Sequence, residues 1–136
     1  MIEQIEIELP PYPRGFHLVT ERIVKNLPKL PEKGILNIFI KHTSAAIAIN
    51  ENADSTVRSD FEIFFNRLIP ESANWFTHSS EGFDDMPAHL KASIIGQTIS
   101  IPITNGKLNL GVWQGIYLCE FRNQGGKRQI VATLIS

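Results

Sequence analysis

Along much of the chain apolar residues recur at every second position. The segment "IEIEL" (residues 5 to 9) alternates apolar and acidic side chains, as a half-buried strand does. "PPYPRG" then breaks the pattern. "ILNIFIKH" and "AAIAIN" read as two strands separated by a bend at Thr43 and Ser44. Further on, "QTISIPI" alternates strictly, "TNGK" supplies an Asn-Gly turn, and "WQGIYLCEFR" and "RQIVATLI" follow as strands around "NQGGK".

The helical period surfaces in three places. "TERIVKNL" (residues 20 to 27) predicts a short helix capped by Thr20 and closed before Pro28. From Asp54 to Leu68, the residues Val57, Phe61, Phe64, Phe65 and Leu68 recur at steps of three and four, with Asp54 or Ser55 as the cap. A second short helix covers about Met86 to Ile95 and stops at Gly96. Between the last two, "ESANWFTHSSEGFDD" has no period and is a long loop, yet Trp75, Phe76 and Phe83 set it apart from a disordered segment. Regular strand-helix-strand alternation is missing, so antiparallel pairing is favoured. The expected fold is α+β: a mainly antiparallel β-sandwich or barrel-like single domain over residues 1–136, with two or three short helices packed outside. If the strands either side of the Thr43-Ser44 bend form a hairpin, their polar residues gather at one end of the sheet.

Composition narrows the function classes. A chain of 136 residues with 43% hydrophobic and 20% charged residues suits one soluble domain with its own core. Its apolar runs fall short of a membrane span, and the acidic, alternating N-terminus is unlike a signal peptide, so a cytoplasmic protein is expected. Thirteen basic and fourteen acidic residues leave no basic footprint for nucleic acid. One cysteine, Cys119, excludes an internal disulfide and reads as a buried small hydrophobe.

Chemistry concentrates in the histidines and their polar neighbours. His42 lies beside Thr43 and Ser44, with Asn50, Glu51 and Asp54 close behind; a strand-end histidine and ordinary caps are the plain alternative. Asp85 and His89, four apart at a helix start, are neighbours on the helix surface, so the carboxylate can orient the imidazole; it can equally be a simple N-cap. His78 sits in the long loop, and His17 beside a turn attracts no role. Together His42, His78 and His89 with nearby carboxylates could hold a divalent metal, zinc or magnesium, although their spacing matches no compact zinc motif. On the "WQGIYLCEFR" strand Gln114 and Glu120 share a face with Ile116 and Leu118, and a buried Glu120 needs a partner such as Arg122 or a histidine across the sheet.

The segments "HTSAAIAINENAD", "HSSEGFDDMPAHLK", "GKLNLGVWQGIYLCEFR" and "KRQIVATLI" resemble, in order and over nearly the whole chain, the YjbQ-like family, whose members are often named secondary thiamine-phosphate synthase enzymes. The resemblance implies a compact β-rich fold, a homotrimer with pockets near subunit boundaries, and recurrent polar positions at His42, Thr43, Ser44, Asn50, Glu51, Asp54, His78, His89, Trp113 and Gln114. The chain departs from the family at Val112, where threonine is frequent, and at Phe121, where His or Asp is common. The implied reaction joins hydroxymethylpyrimidine diphosphate to a thiazole phosphate and releases pyrophosphate. The expected enzyme therefore binds a small phosphorylated metabolite. His42, His78 and His89 would ligate the metal; His42, Glu51, Asp54, Asp85 and His89 would form the catalytic set; Thr43, Ser44, Asn50, Lys91, Trp113, Gln114 and Arg122 would bind substrate, with Arg14 a further cation. The alternatives are a non-catalytic module that binds a small anionic metabolite, and a metal-dependent phosphohydrolase.

Overall fold

A computed structural model describes residues 1–136. It contains eight strands, β1 (Ile2–Leu9), β2 (Gly15–Leu18), β3 (Lys33–Ile40), β4 (Ala45–Glu51), β5 (Thr98–Thr104), β6 (Lys107–Leu108), β7 (Gln114–Glu120) and β8 (Arg128–Ile135). Three helices complete it: α1 (Thr20–Val24), α2 (Ser55–Leu68) and α3 (Asp85–Ile95). Every strand pair is antiparallel. The strands form a five-stranded sheet in the order β1-β8-β3-β5-β6 and a three-stranded sheet in the order β2-β7-β4. The α+β fold expected from the sequence is present, with the sheets curled against each other and α2 and α3 outside the smaller one.

Alternation along the strands builds two apolar layers. Leu36, Ile38 and Ile40 of β3 and Ile130, Ala132 and Leu134 of β8 point inward, where they meet Ala45, Ile47, Ile116 and Leu118 of the small sheet. The opposite face of the small sheet carries Phe16, Ala46, Tyr117 and Cys119, which pack against Ala88 and Ala92 of α3 and Phe61 and Phe65 of α2. The small sheet is therefore covered on both faces, which explains why "AAIAI" and "GIYLCEF" are nearly continuous apolar runs. Cys119 is fully buried there, and burial pushes its thiol pKa far up, as befits a small hydrophobe. The Asn105-Gly106 turn joins β5 to β6 with positive φ at both residues, 54° and 74°, the conformation that matches strand twist. No helix is long and apolar enough to cross a membrane.

Two expectations are corrected. The strands flanking Thr43-Ser44 form no hairpin: β3 pairs with β5 and β8, whereas β4 pairs with β7, so residues 41–44 form a corner between sheets. Thr20 does not cap α1; the N-cap position is Val19, and the Thr20 hydroxyl accepts the backbone N–H of Ile116 at 2.8 Å, tying α1 to β7. The apolar stripe of α2 is only half used, because Phe61 and Phe65 face Phe16 while Phe64 and Leu68 remain 57% and 53% exposed.

Glu120 does find a charged partner, and it is Arg128; of Arg122 only the backbone N–H reaches its carboxylate, at 3.2 Å, and no histidine does. The Arg128 guanidinium donates from Nε and Nη2 to the two Glu120 oxygens, and Nη2 also donates to the Ser44 hydroxyl at 3.0 Å. Both charged residues are buried, and Gly125 lies so close to the carboxylate that a Cβ there would collide with it. A buried pair of this kind is held by mutual satisfaction, so removing one member strands the other. Arg128→Met is expected to lower stability by about 3–5 kcal/mol, and Glu120→Leu/Arg128→Met to recover most of it. Urea midpoints at unchanged slope are the measurement; a single-variant loss below about 1 kcal/mol would show that the pair is not desolvated in solution.

Candidate functional site

The long loop 71–84 brings His78 back onto the first turn of α3. Asp85, the first residue of that helix, is 1% exposed, and its Oδ2 lies 2.6 Å from His78 Nε2 and 3.2 Å from His89 Nε2. Asp85 is thus not a cap. The N-cap position is Asp84, whose carboxylate instead accepts from Arg122 Nε at 3.0 Å and from the Asn123 N–H at 2.9 Å. Arg122 also donates from Nη1 to Asp85 Oδ1 and from Nη2 to the Glu81 carbonyl, so it clamps the loop to the helix. Burial pushes the Asp85 pKa up, but the hydrogen bond with His78 and the charges of His89 and Arg122 outweigh it and hold the carboxyl below its ordinary value.

His89 is fixed from its other side. Its Nδ1 lies 3.0 Å from the Thr43 carbonyl oxygen, which can only accept, so Nδ1 carries the proton and a neutral ring turns its Nε2 lone pair toward Asp85. That lone pair faces Asp85 Oδ2 at 3.2 Å, a pair of donor atoms that a bound cation can bridge. His78, Asp85 and His89 offer ligand atoms that all lie within 4.8 Å of one another, while the two imidazoles keep 43% and 30% of their side-chain surface exposed. Two imidazoles and one carboxylate with open positions fit zinc or another first-row transition ion; magnesium prefers an all-oxygen set.

His42 lies outside this triad. Its Nε2 accepts the backbone N–H of Gln129 at 2.7 Å, pinning the corner between the sheets to β8. Burial, the largest influence, holds its imidazole pKa below the ordinary 6.5, with Arg128 and Lys41 acting in the same direction and Glu120 opposing. Ser44 is buried against Arg128, and Thr43 contributes its carbonyl to His89. Lys91 is 1% exposed and donates to Asn66 Oδ1 at 2.7 Å, the same oxygen that accepts from Arg14. Arg14 in turn pairs with Glu62 and Glu71, so Arg14 and Lys91 tie α2, α3 and the β1–β2 connection together inside the fold.

The remaining expected residues stand at the far end of the small sheet. Register pairs Ala45 with Glu120 at one end of β4 and Glu51 with Gln114 at the other. Six strand steps separate these ends by roughly 20 Å. At the far end Glu51 accepts the N–H groups of Ala53 and Asp54, and Asn50 Oδ1 accepts the Glu51 N–H. Asp54 caps α2 through Thr56, whose hydroxyl and N–H lower its carboxyl pKa. Gln114 Oε1 accepts the Gly111 N–H at 2.7 Å, and Trp113 is 64% exposed. Gln114 also lines an open groove of about 720 Å³ with Thr20, Glu21, Arg22, Lys25 and Asn52. The sequence reading passed over Arg22 and Lys25; their spacing of three along "TERIVK" was the available signal.

Residues 3–136 match the family described as "UPF0047 protein YjbQ-like". The chain belongs to this family. It is 47% identical over 133 residues to the UPF0047 protein YjbQ of Salmonella typhimurium, covering 96% of each chain. It is 42% identical over 96 residues to the UPF0047 protein YugU of Bacillus subtilis, covering 68% of this chain and 70% of that one. Among solved structures, a YbjQ-like protein of unknown function from Sulfolobus solfataricus superimposes with a TM-score of 0.85 at 25% identity, over 100% of this chain and 98% of the other. A conserved hypothetical protein from Thermus thermophilus gives 0.83 at 28% identity over 97% and 99%. The family places the fold firmly and names no reaction.

The lowered His42 pKa has a definite sign. An unfolded His42 takes up a proton near pH 6.5 while the folded one resists it, so the unfolded state binds more protons below that pH. The stabilisation is complete above about pH 6.5 and declines as pH falls toward the folded-state pKa. The melting temperature of the wild type is expected to drop more between about pH 7.5 and pH 5.5 than that of His42→Gln, which keeps an acceptor without the titration. Equal drops would remove His42 as the linked group.

Proposed function

We propose that the protein is a metal-dependent enzyme acting on a small phosphorylated metabolite, with His78, Asp85 and His89 as the cation's ligands. The observation that carries this reading is the convergence of His78, Asp85 and His89, whose ligand atoms lie within 4.8 Å of one another around a buried carboxylate while both imidazoles stay partly exposed. When bound, the ion would polarise a phosphoryl oxygen and offset the charge that builds on a departing pyrophosphate. The protein's own part is positional. Arg122 fixes Asp85, Thr43 fixes His89, and the clamped loop delivers His78. The finer reading is the transfer named with the family resemblance, in which the pyrimidine diphosphate loses pyrophosphate to a thiazole phosphate.

This reading assigns the anion-binding side chains to the far groove, where Arg22 and Lys25 line open space; Lys91, by contrast, is buried. One chain cannot bring that groove to the histidines, roughly 20 Å away along β4. A head-to-tail ring of copies, such as a homotrimer, could. In support, both ends carry large exposed apolar residues: Trp75 and Phe83 in the histidine-bearing loop, and Val112 and Trp113 beside Gln114.

Metal analysis of the purified, untagged protein is expected to find about one zinc-type ion per chain, and His78→Ala/His89→Ala to hold none while keeping its circular dichroism. No retained metal in the wild type, even after reloading, would sink the assignment. For the shared site, mixing inactive His89→Ala with inactive Arg22→Ala/Lys25→Ala subunits should restore part of the pyrophosphate release. A monomer in sedimentation at all dilutions, or no restoration, would refute it.

A further inference from the structure

The groove at the far end of the small sheet has walls of definite polarity. Leu18 and Asn52 close over Gly115 of β7, where a Cβ would lie 2.7 Å from Leu18 Cδ2 and 3.0 Å from Asn52 Cβ. Tyr12 is its aromatic border: the ring packs on His17 at 4.8 Å between centroids, and its hydroxyl accepts from Arg22 Nε at 3.2 Å. The space, about 720 Å³, is that of a small-molecule site.

Backbone contacts fix the sense of two amides there. Asn52 Nδ2 donates to the carbonyls of Val112 at 3.1 Å and Gln114 at 3.0 Å, so both its protons are spent and Oδ1 is left as an acceptor. Gln114 Oε1 accepts the Gly111 N–H at 2.7 Å, so Nε2 is left as a donor. Both side chains line the groove, and the Asn52 amide is bonded to the Gln114 backbone, so the two are neighbours. One acceptor beside one donor is the complement of a heterocycle edge that carries an N–H next to a carbonyl.

The charges stand on the α1 side. Arg22 spends Nε on Tyr12 and keeps both terminal nitrogens for a ligand, and Lys25 follows about one turn on. Glu21 is the one acid on the groove. A carboxylate there opposes a bare polyanion, yet it accepts from sugar hydroxyls, as acids do in nucleotide sites.

We propose that this groove binds a nucleoside monophosphate. The base edge meets Asn52 Oδ1 and Gln114 Nε2 with its ring against Tyr12 and Leu18, the ribose lies at Glu21, and the phosphate rests on Arg22 and Lys25. The assignment rests on the proposed function only in giving Arg22 and Lys25 an anion; it adds the kind of molecule that carries the anion, and it needs neither the cation nor a second copy.

Uridine monophosphate is the probe, titrated calorimetrically with a chelator present so that no cation contributes. Saturation at one site per chain is expected. Uridine and ribose 5-phosphate should each bind at least about tenfold more weakly, because each lacks half of the contacts. Methylation of the base at N3, which removes the N–H facing Asn52, should also cost about tenfold. Arg22→Gln/Lys25→Gln should bring the nucleotide down to the affinity of uridine and leave the penalty of N3 methylation intact. No saturation at millimolar nucleotide, or equal affinity for the nucleotide and its N3-methyl form, would overturn the proposal. Inorganic phosphate or ribose 5-phosphate binding as tightly as the nucleotide would overturn it too, while leaving Arg22 and Lys25 as an anion site. Failure of every phosphate to bind would remove that anion site as well.

Discussion

The architecture turns on a sheet that is buried on both faces. The strands β2, β7 and β4 touch the large sheet on one side and two helices on the other, so their middle positions admit only apolar or very small side chains. Backbone polarity is satisfied along the ladder, and side-chain polarity is driven to the ends. Everything with chemical character follows from that. The histidines, Asp85, Arg122 and the Glu120–Arg128 pair gather where β4 begins and β7 ends; Glu51, Asp54, Asn52 and Gln114 gather where β4 ends and β7 begins.

At the histidine end two buried carboxylates are handled in opposite ways. Glu120 is closed off: both oxygens face Arg128, and Gly125 is pressed against them. Nothing is left over for a ligand, and the pair serves to hold the corner of residues 41–44 against β8. Asp85 has one oxygen fixed by Arg122 and the other shared between two half-exposed imidazoles, so its second oxygen faces groups that solvent and ligands can reach. The difference lies in the neighbours. A second imidazole leaves a carboxylate oxygen open to exchange partners, whereas a guanidinium fork occupies both oxygens at once.

Much of this was legible in the residues. Alternation gave the strands, the three-and-four spacing gave α2 and α3, and Asp85 with His89 announced a carboxylate beside an imidazole on one helix face. What stayed hidden depended on direction and sheet membership. Glu51 and Asp54 follow His42 closely in sequence, yet β4 carries them to the far end of the sheet. Arg122 is two residues from Glu120 and Arg128 eight, but the chain crosses to the other sheet at "NQGGK", and only Arg128 then points back into the core. His42 looked like its two counterparts because an imidazole bound to a backbone N–H and one bound to a carboxylate have the same letter.

The order of strands in the large sheet also governs how the chain can be assembled. β8, the last strand in sequence, lies between β1, the first, and β3, and pairs with both. Until the eight residues of that strand have left the ribosome, β1 has no neighbour and β3 presents a bare edge on that side, both lined with isoleucine and leucine. Closure of the large sheet therefore waits on contacts of very large sequence separation, which makes it a slow step and the stage at which the nascent chain is most open to pairing with the wrong strand.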